Sequence, residues 1–396
     1  MKNQSFAVTV FSTFVLATSS LTTSSLAVAQ TGGSTSGSRS PVASNSNTTV
    51  FTAPASGSQT QSIDYLNPRT LYPQVSSFAG RNQAEQIFPT GNQGYKPGSK
   101  ASSSLSDNSV KLINPITLPP SNTVESDNFG TSNHPFTTAR NPQTTGYPYS
   151  PSGRLFFNIG NSSYVCSASA IQRGVIVTAA HCVANFGAKQ FYSNWQFVPA
   201  YNNGNAPYGV WTANKAIVLT SYYNGTDRCS QKGVICDDDV AVLVMTPKSG
   251  HNVGDSTGWY GFGYGGFGFT SFLNHTSAQL TQIGYPVSLD NGVIQERNES
   301  LAYTNSNGSY QQLIGSLMTG GSSGGPWLLN YGVNPNVYSP NTLGQNYTAN
   351  PVVTGVTSWG YNDYSIKEQG ASIFTSNNIL TLYNAACTYT SLLACK

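Results

Sequence analysis

The sequence predicts an all-β fold, and three observations carry that prediction. Only 8% of the 396 residues are charged, far below the usual quarter of a globular chain, which excludes a charged helical bundle or a coiled coil. Gly (39), Tyr (23) and Phe (18) are abundant, and aromatic and β-branched side chains suit a pleated surface while Gly supplies its turns. Short apolar runs are separated by turn pairs such as Asn224-Gly225, Asn291-Gly292 and Asn307-Gly308, the pattern of a barrel or sandwich. The formal net charge is +3 and no Lys/Arg cluster occurs, so nothing could neutralise a run of phosphates and no nucleic-acid partner is expected.

In chain order, residues 1–29 read as a secretory signal peptide. Lys2 is followed by an apolar stretch from Phe6 to Leu16 and then by Ala27-Val28-Ala29, a basic start, a short apolar core and a small-residue cleavage site. The stretch is shorter than the ~20 residues a membrane helix needs, so no membrane partner is expected and export to the extracellular space or periplasm is. Residues 30–140 are rich in Ser, Gly, Thr, Asn, Pro and Gln; they are expected to bury little surface and to form a disordered or weakly folded pro-region. From about residue 141 strand-like runs recur: Gly153–Ile159, Val165–Ile171, Val175–Ala179, Ala216–Thr220, Val240–Met245, Gln279–Tyr285, Trp327–Leu329 and Val352–Ser358. One helix is expected last, capped by Ser376 or Asn377 and carrying Ile379, Leu380, Leu382, Tyr383 and Ala386 on one face.

The six cysteines are Cys166, Cys182, Cys229, Cys236, Cys387 and Cys395. They lie as three local pairs, and an even number in an exported chain points to disulfides, although six cysteines allow 15 connectivities. Metal binding is the weaker reading, since no two stand at C-x-x-C spacing and no His accompanies a pair at zinc-finger distance. No metal or cofactor is expected.

Three segments carry chemistry together. Thr178-Ala179-Ala180-His181-Cys182 follows an apolar strand, Asp239-Val240-Ala241-Val242-Leu243 opens another with an acid, and Gly321-Ser322-Ser323-Gly324-Gly325-Pro326 puts a serine among glycines. A serine hydroxyl is a poor nucleophile until a histidine takes its proton, and a carboxylate must hold that histidine in the correct tautomer. Glycines beside the nucleophile let backbone N–H groups face the developing oxyanion, here those of Gly321 and Ser323. Chain order separates the alternatives. Gly321–Gly325 also fits the G-x-S-x-G elbow of α/β-hydrolases, but that arrangement needs a His after the Ser, and the histidines are His134, His181, His251 and His275. The order Asp, His, Ser would have to draw Asp64, Asp107 or Asp127 from the low-complexity region, or pair His251 or His275 with an earlier acid, and neither option has a supporting motif. Only the order His, Asp, Ser uses all three segments.

With Ser358-Trp359-Gly360 added, these segments resemble those of the chymotrypsin-like serine peptidases. Tyr147-Pro148-Tyr149, Ser256-Thr257-Gly258-Trp259 and Gly284-Tyr285-Pro286 resemble the bacterial glutamyl-endopeptidase branch. The resemblance covers about residues 135–396. It implies two antiparallel six-stranded β-barrels, about 141–252 and 253–396, with the active site between them and a helix at the C-terminus. It further implies His181 as general base and acid, Asp239 as its orienting carboxylate, Ser323 as nucleophile, and a disulfide between Cys166 and Cys182; the other two pairs follow from proximity alone.

The departures from that family bear on specificity and activation. Ser322 stands where most members have the Asp that receives a new N-terminal ammonium after zymogen cleavage, so pro-region removal is expected to serve folding or unblocking of the cleft. Leu317 stands where the trypsin subgroup has an acid, and Thr357 where glutamyl endopeptidases have a His. A basic P1 residue would therefore bury an unneutralised charge. Leu317 and Met318, with Ser358, Trp359 and Gly360 along an extended peptide, predict an apolar or small P1 residue. The expected protein is a monomeric, secreted serine endopeptidase acting on proteins or peptides, the alternatives being a catalytically silent binding protein or an esterase on the same scaffold.

Overall fold

The computed structural model describes residues 43–54, 61–77, 92–95, 109–118, 135–141, 144–272, 275–305, 309–331, 351–389 and 395. The signal peptide expected over 1–29 lies outside them. Two closed six-stranded antiparallel barrels form the body of the protein. The first pairs Ser152–Ile159 with Ser162–Gln172, then Val175–Thr178, Ala241–Met245, Trp211–Leu219 and Ser193–Pro199, which returns to the first strand. The second runs through His275–Gly284, Glu296–Asn305, Gln311–Gly315, Glu368–Ser372, Val352–Tyr361 and Pro326–Leu329 before closing on its first strand.

The first barrel closes around an apolar interior. Val175, Ile176, Val177, Ala216, Ile217, Val218, Val242 and Leu243 are all fully buried, so these strands read as apolar runs. The second barrel is different. Glu296–Tyr303 alternates between buried and half-buried positions, but the buried ones include Glu296, Asn298 and Ser300, and Gln311–Gly315 buries Gln311 and Gln312. These strands escaped the sequence reading because buried amides and hydroxyls replaced the expected apolar residues. Asn298 Nδ2, for instance, donates to Gly315 O at 2.8 Å, and Gln312 Nε2 to Thr354 O at 2.6 Å.

The C-terminal helix, Thr381–Tyr389, packs Leu382, Tyr383 and Ala386 inward. It is entered through a wide turn over Ser376–Leu380, whose cap is Thr375 rather than Ser376 or Asn377. Thr375 Oγ1 accepts from Asn378 N at 3.1 Å, and Asn378 Oδ1 accepts in return from Thr375 N at 2.7 Å. The cap sits one residue earlier because this reciprocal pair satisfies both backbone N–H groups. Among the described residues no helix is long and apolar enough to cross a membrane.

Parts of the stretch 30–140 also pack on the barrels. Thr48–Thr52 pairs with Trp211–Leu219, burying Val50 and Phe51 in the first core. Arg69–Thr70 lies parallel to Ser162–Gln172, and Gln74–Val75 parallel to Val352–Tyr361. Little burial was expected here on composition; the few apolar residues suffice because they borrow a core and free strand edges that the barrels already supply.

Candidate active site

His181 occupies a single turn, Ala180–Cys182, at the end of Val175–Thr178. Thr178 Oγ1 donates to Ser167 O at 2.9 Å, Trp195 Nε1 donates to Cys182 O at 3.2 Å, and the Cys166–Cys182 disulfide ties the turn to the neighbouring strand. The other two local pairs, Cys229–Cys236 and Cys387–Cys395, are also disulfides. Among the described residues, the two places where three potential metal donors converge, Cys166/His181/Cys182 and Asp227/Cys229/Cys236, each include such a pair. Disulfide sulfurs offer no thiolate to a metal.

Asp239 precedes Ala241–Met245 and is 1% exposed. Its Oδ1 accepts from His181 N at 2.8 Å, and its Oδ2 meets His181 Nδ1 at 2.8 Å. A carboxylate can only accept, so Nδ1 carries the imidazole proton and Nε2 keeps its lone pair. Ser358 Oγ donates to the same Oδ2 at 2.5 Å. The two neighbouring acids face elsewhere. Asp237 pairs with Arg228 Nε at 2.7 Å, and Asp238 Oδ2 accepts from Ser221 Oγ at 2.6 Å. Burial first, then the repulsion of neighbouring carboxylates, pushes Asp227 up to about 9, and burial likewise raises the Asp238 carboxyl against the bond from Ser221.

Ser323 follows a tight turn. Ser322 N donates to Thr319 O at 3.1 Å, and Gly321 holds φ +95°, the third turn position that only glycine adopts easily. Gly324 also has positive φ, +77°, and a methyl there would meet Thr178 Oγ1 and Ser167 O. Ser323 O accepts from Ser167 N at 2.7 Å, and Gly324 N donates to Thr357 O at 2.7 Å, so the nucleophile segment is fixed to both barrels. Ser323 Oγ donates to Leu71 O at 3.1 Å. His181 Nε2 is buried without a hydrogen-bond partner.

A cavity of about 570 Å³ opens between Ser316–Thr319 and Tyr361, and it is lined by Tyr72, the residue after Leu71. Leu317 and Met318 are on its wall. The other three residues expected at the substrate separate by role. Gly360 N donates to Pro73 O at 3.1 Å, as an extended peptide would require. The Ser358 side chain serves Asp239, while Trp359 is fully buried in the second barrel with Nε1 donating to Gln311 Oε1 at 2.9 Å. Sequence reasoning missed Gln369. It is paired across the strands with Gly360, its Nε2 donates to Ser322 Oγ at 3.3 Å and to the Tyr72 hydroxyl, and its Oε1 accepts from Gln282 Nε2 at 2.5 Å. No motif marks a glutamine whose importance arises only from strand register.

Two closed six-stranded antiparallel barrels followed by a C-terminal helix define the class of the molecule, a protein of the trypsin-like fold. A family model described as Trypsin matches residues 143–380, and the chain belongs to that family; it is a serine endopeptidase. Among solved structures it is similar to the thermostable serine protease AL20 from an extremophilic microorganism, at 26% identity over 61% of this chain and 99% of that one, with a TM-score of 0.47. It is similar to the protease Anisep from Arthrobacter nicotinovorans at 26% identity over 64% and 100% of the two chains, TM-score 0.47. A Glu endopeptidase aligns at 18% identity over 63% and 96%, TM-score 0.43. No curated protein matches the chain.

Proposed function

We infer that the protein is exported by a signal peptide at 1–29, carries a pro-region over 30–140, and hydrolyses peptide bonds with a domain over 141–396 through His181, Asp239 and Ser323. The pair of 2.8 Å contacts from Asp239 to His181 N and Nδ1 is the observation that carries this reading. It orients Nε2 as a base. Once Ser323 Oγ leaves Leu71 O and turns to Nε2, its proton passes to the imidazole as oxygen attacks the scissile carbonyl. Asp239 stabilises the resulting imidazolium, and the Gly321 and Ser323 N–H groups receive the oxyanion. The imidazolium then protonates the leaving amine, and water, deprotonated by Nε2, hydrolyses the acyl-enzyme.

The specificity proposed is for a neutral P1 side chain, apolar or of modest size. Leu317 and Met318 line the pocket, and the acids on its rim are engaged, Asp290 with Arg140 and Glu368 Oε1 with the Tyr361 hydroxyl at 3.0 Å. Asp290 thus already has its counter-charge, and the apolar wall of Leu317 and Met318 disfavours the buried charge of a Lys or Arg. The test is intact-mass analysis of the secreted protein after fluorophosphonate treatment, beside Ser323→Ala, followed by a P1 peptide library. One adduct on the processed wild type and none on the variant is expected. An unlabelled processed chain would refute the triad, and a library preference for Glu or Arg would refute the pocket.

A further inference from the structure

The segment Arg69–Val75 crosses the cleft from barrel to barrel. Arg69 and Thr70 pair with Tyr164 and Val165 of the first barrel, while Gln74 and Val75 pair with Gly360 and Tyr361 of the second. Between them Leu71, Tyr72 and Pro73 pass directly over the nucleophile. Tyr72 enters the cavity beside Leu317 and Met318, its hydroxyl bonded to Gln369. It lies so close to Gly360 that a methyl on that residue would strike its ring. Its C-terminal end is fastened further to the second barrel, since Asn362 N donates to Val75 O at 3.0 Å, Gln74 Nε2 donates to Tyr361 O at 3.1 Å, and Val75 is 1% exposed.

The direction of the chain decides what this contact does. Cleavage after a residue seated in the pocket requires the carbonyl of that same residue at Ser323. Here the carbonyl at Ser323 belongs to Leu71, the residue before Tyr72, while the carbonyl two residues further on, that of Pro73, accepts from Gly360 N. The segment therefore runs backwards relative to a productive substrate. It also presents oxygen rather than carbon to the nucleophile: Oγ spends its proton on Leu71 O, whereas attack needs the carbonyl carbon at about 3–3.5 Å and its oxygen on the oxyanion donors. His181 Nε2 is correspondingly left without the hydroxyl proton it would accept.

We propose that residues 69–75 are an inhibitor carried within the chain, a tyrosine-anchored peptide that occupies the substrate cleft in reverse polarity and is spared cleavage by that polarity. The proposal rests on the triad assigned above. Tethering makes the segment an intramolecular ligand at high effective concentration, so weak contacts suffice to hold it until the pro-region is removed.

The test compares fluorophosphonate labelling rates of the unprocessed full chain, its Tyr72→Ala and Tyr72→Phe variants, and the processed enzyme, with intact mass identifying each species. The wild-type precursor should label at least tenfold more slowly than the processed enzyme. Tyr72→Ala should approach the processed rate while still uncut, and Tyr72→Phe, which keeps the ring and loses only the bond to Gln369, should label several-fold faster than wild type. If Tyr72→Ala does not fold, the Phe variant carries the test. A wild-type precursor that labels at the processed rate, or variants as slow as wild type, would overturn the inhibitor and leave the triad standing; a processed enzyme that does not label overturns the triad itself.

Discussion

Replacing Asp239 with Asn probes the site most directly, because the side chain keeps its size while one acceptor becomes a donor. Asp239 receives three hydrogen bonds, from His181 N at 2.8 Å, His181 Nδ1 at 2.8 Å and Ser358 Oγ at 2.5 Å. The backbone N–H of His181 cannot change role, so the amide oxygen of Asn must face it, and the NH₂ is left against Nδ1. The imidazole then has to accept at Nδ1 and carry its proton on Nε2, which removes the base from the nucleophile. A tautomer exchange of this kind costs roughly 10⁴ in kcat, on the order of 5 kcal/mol of transition-state stabilisation. Asp237→Asn and Asp238→Asn should stay within about threefold of wild type, since those carboxylates bond to Arg228 and Ser221. The assay is kcat and KM of processed enzyme on a peptide with a neutral P1 residue, with thermal unfolding to confirm that each variant folds. Retention of more than a tenth of kcat by Asp239→Asn, or an equal loss in Asp238→Asn, would refute the assignment.

Two other perturbations follow from the same structure. Ser358→Ala removes one charged hydrogen bond from Asp239 and should lower kcat about tenfold with KM little changed, on the ~1.5–3 kcal/mol such bonds contribute; an unchanged kcat would show that Asp239 is held without it. Glu296 is buried, and burial first, then the neighbouring Asp290 carboxyl, pushes it up from 4.5 to about 9. The folded chain thus keeps a proton that the unfolded chain releases above 4.5. The stability this group contributes is complete below that pH and is lost as pH rises toward 9. Glu296→Gln should flatten the fall in Tm between pH 5 and 9, and parallel curves for the two proteins would refute that origin.

The first barrel was largely legible because its interior is apolar: Val175–Thr178 and Ala241–Met245 are continuous runs bounded by the very motifs that hold His181 and Asp239. Much of the second barrel was not. Glu368–Ser372 buries Glu368, Gln369 and Ser372, so hydropathy alone did not mark it as a strand, and in the first barrel the same holds for Ser193–Pro199, which begins with Ser and Asn. Candidate site residues could be proposed from sequence where the chemistry demands a local pattern, as around Ser323. Gln369 and Ser358 act through a partner 47 or 119 residues away, Ser322 and Asp239 respectively, and such pairings exist only once register is set. Arg69–Val75 was hidden for a related reason, since a single Tyr in a polar stretch carries no signal until a pocket is there to receive it.

Activation of this chain can be argued from how the oxyanion turn is held. In the family members it resembles, an Asp before the nucleophile shapes that turn by binding an ammonium that only cleavage creates. Ser322 needs no such partner. Its Oγ donates to Thr319 O at 2.7 Å across the same turn its N–H closes, and it accepts from Gln369 Nε2 at 3.3 Å, all within the uncut chain. Gly321 already holds the φ the turn requires. Cleavage therefore has no conformational task left at this turn, and what separates the precursor from an active enzyme is the occupant of the cleft. An uncut chain whose residue 72 no longer fills the pocket should accordingly hydrolyse peptides as well as react with a fluorophosphonate, whereas a chain activated through a new amino terminus would remain silent until cut.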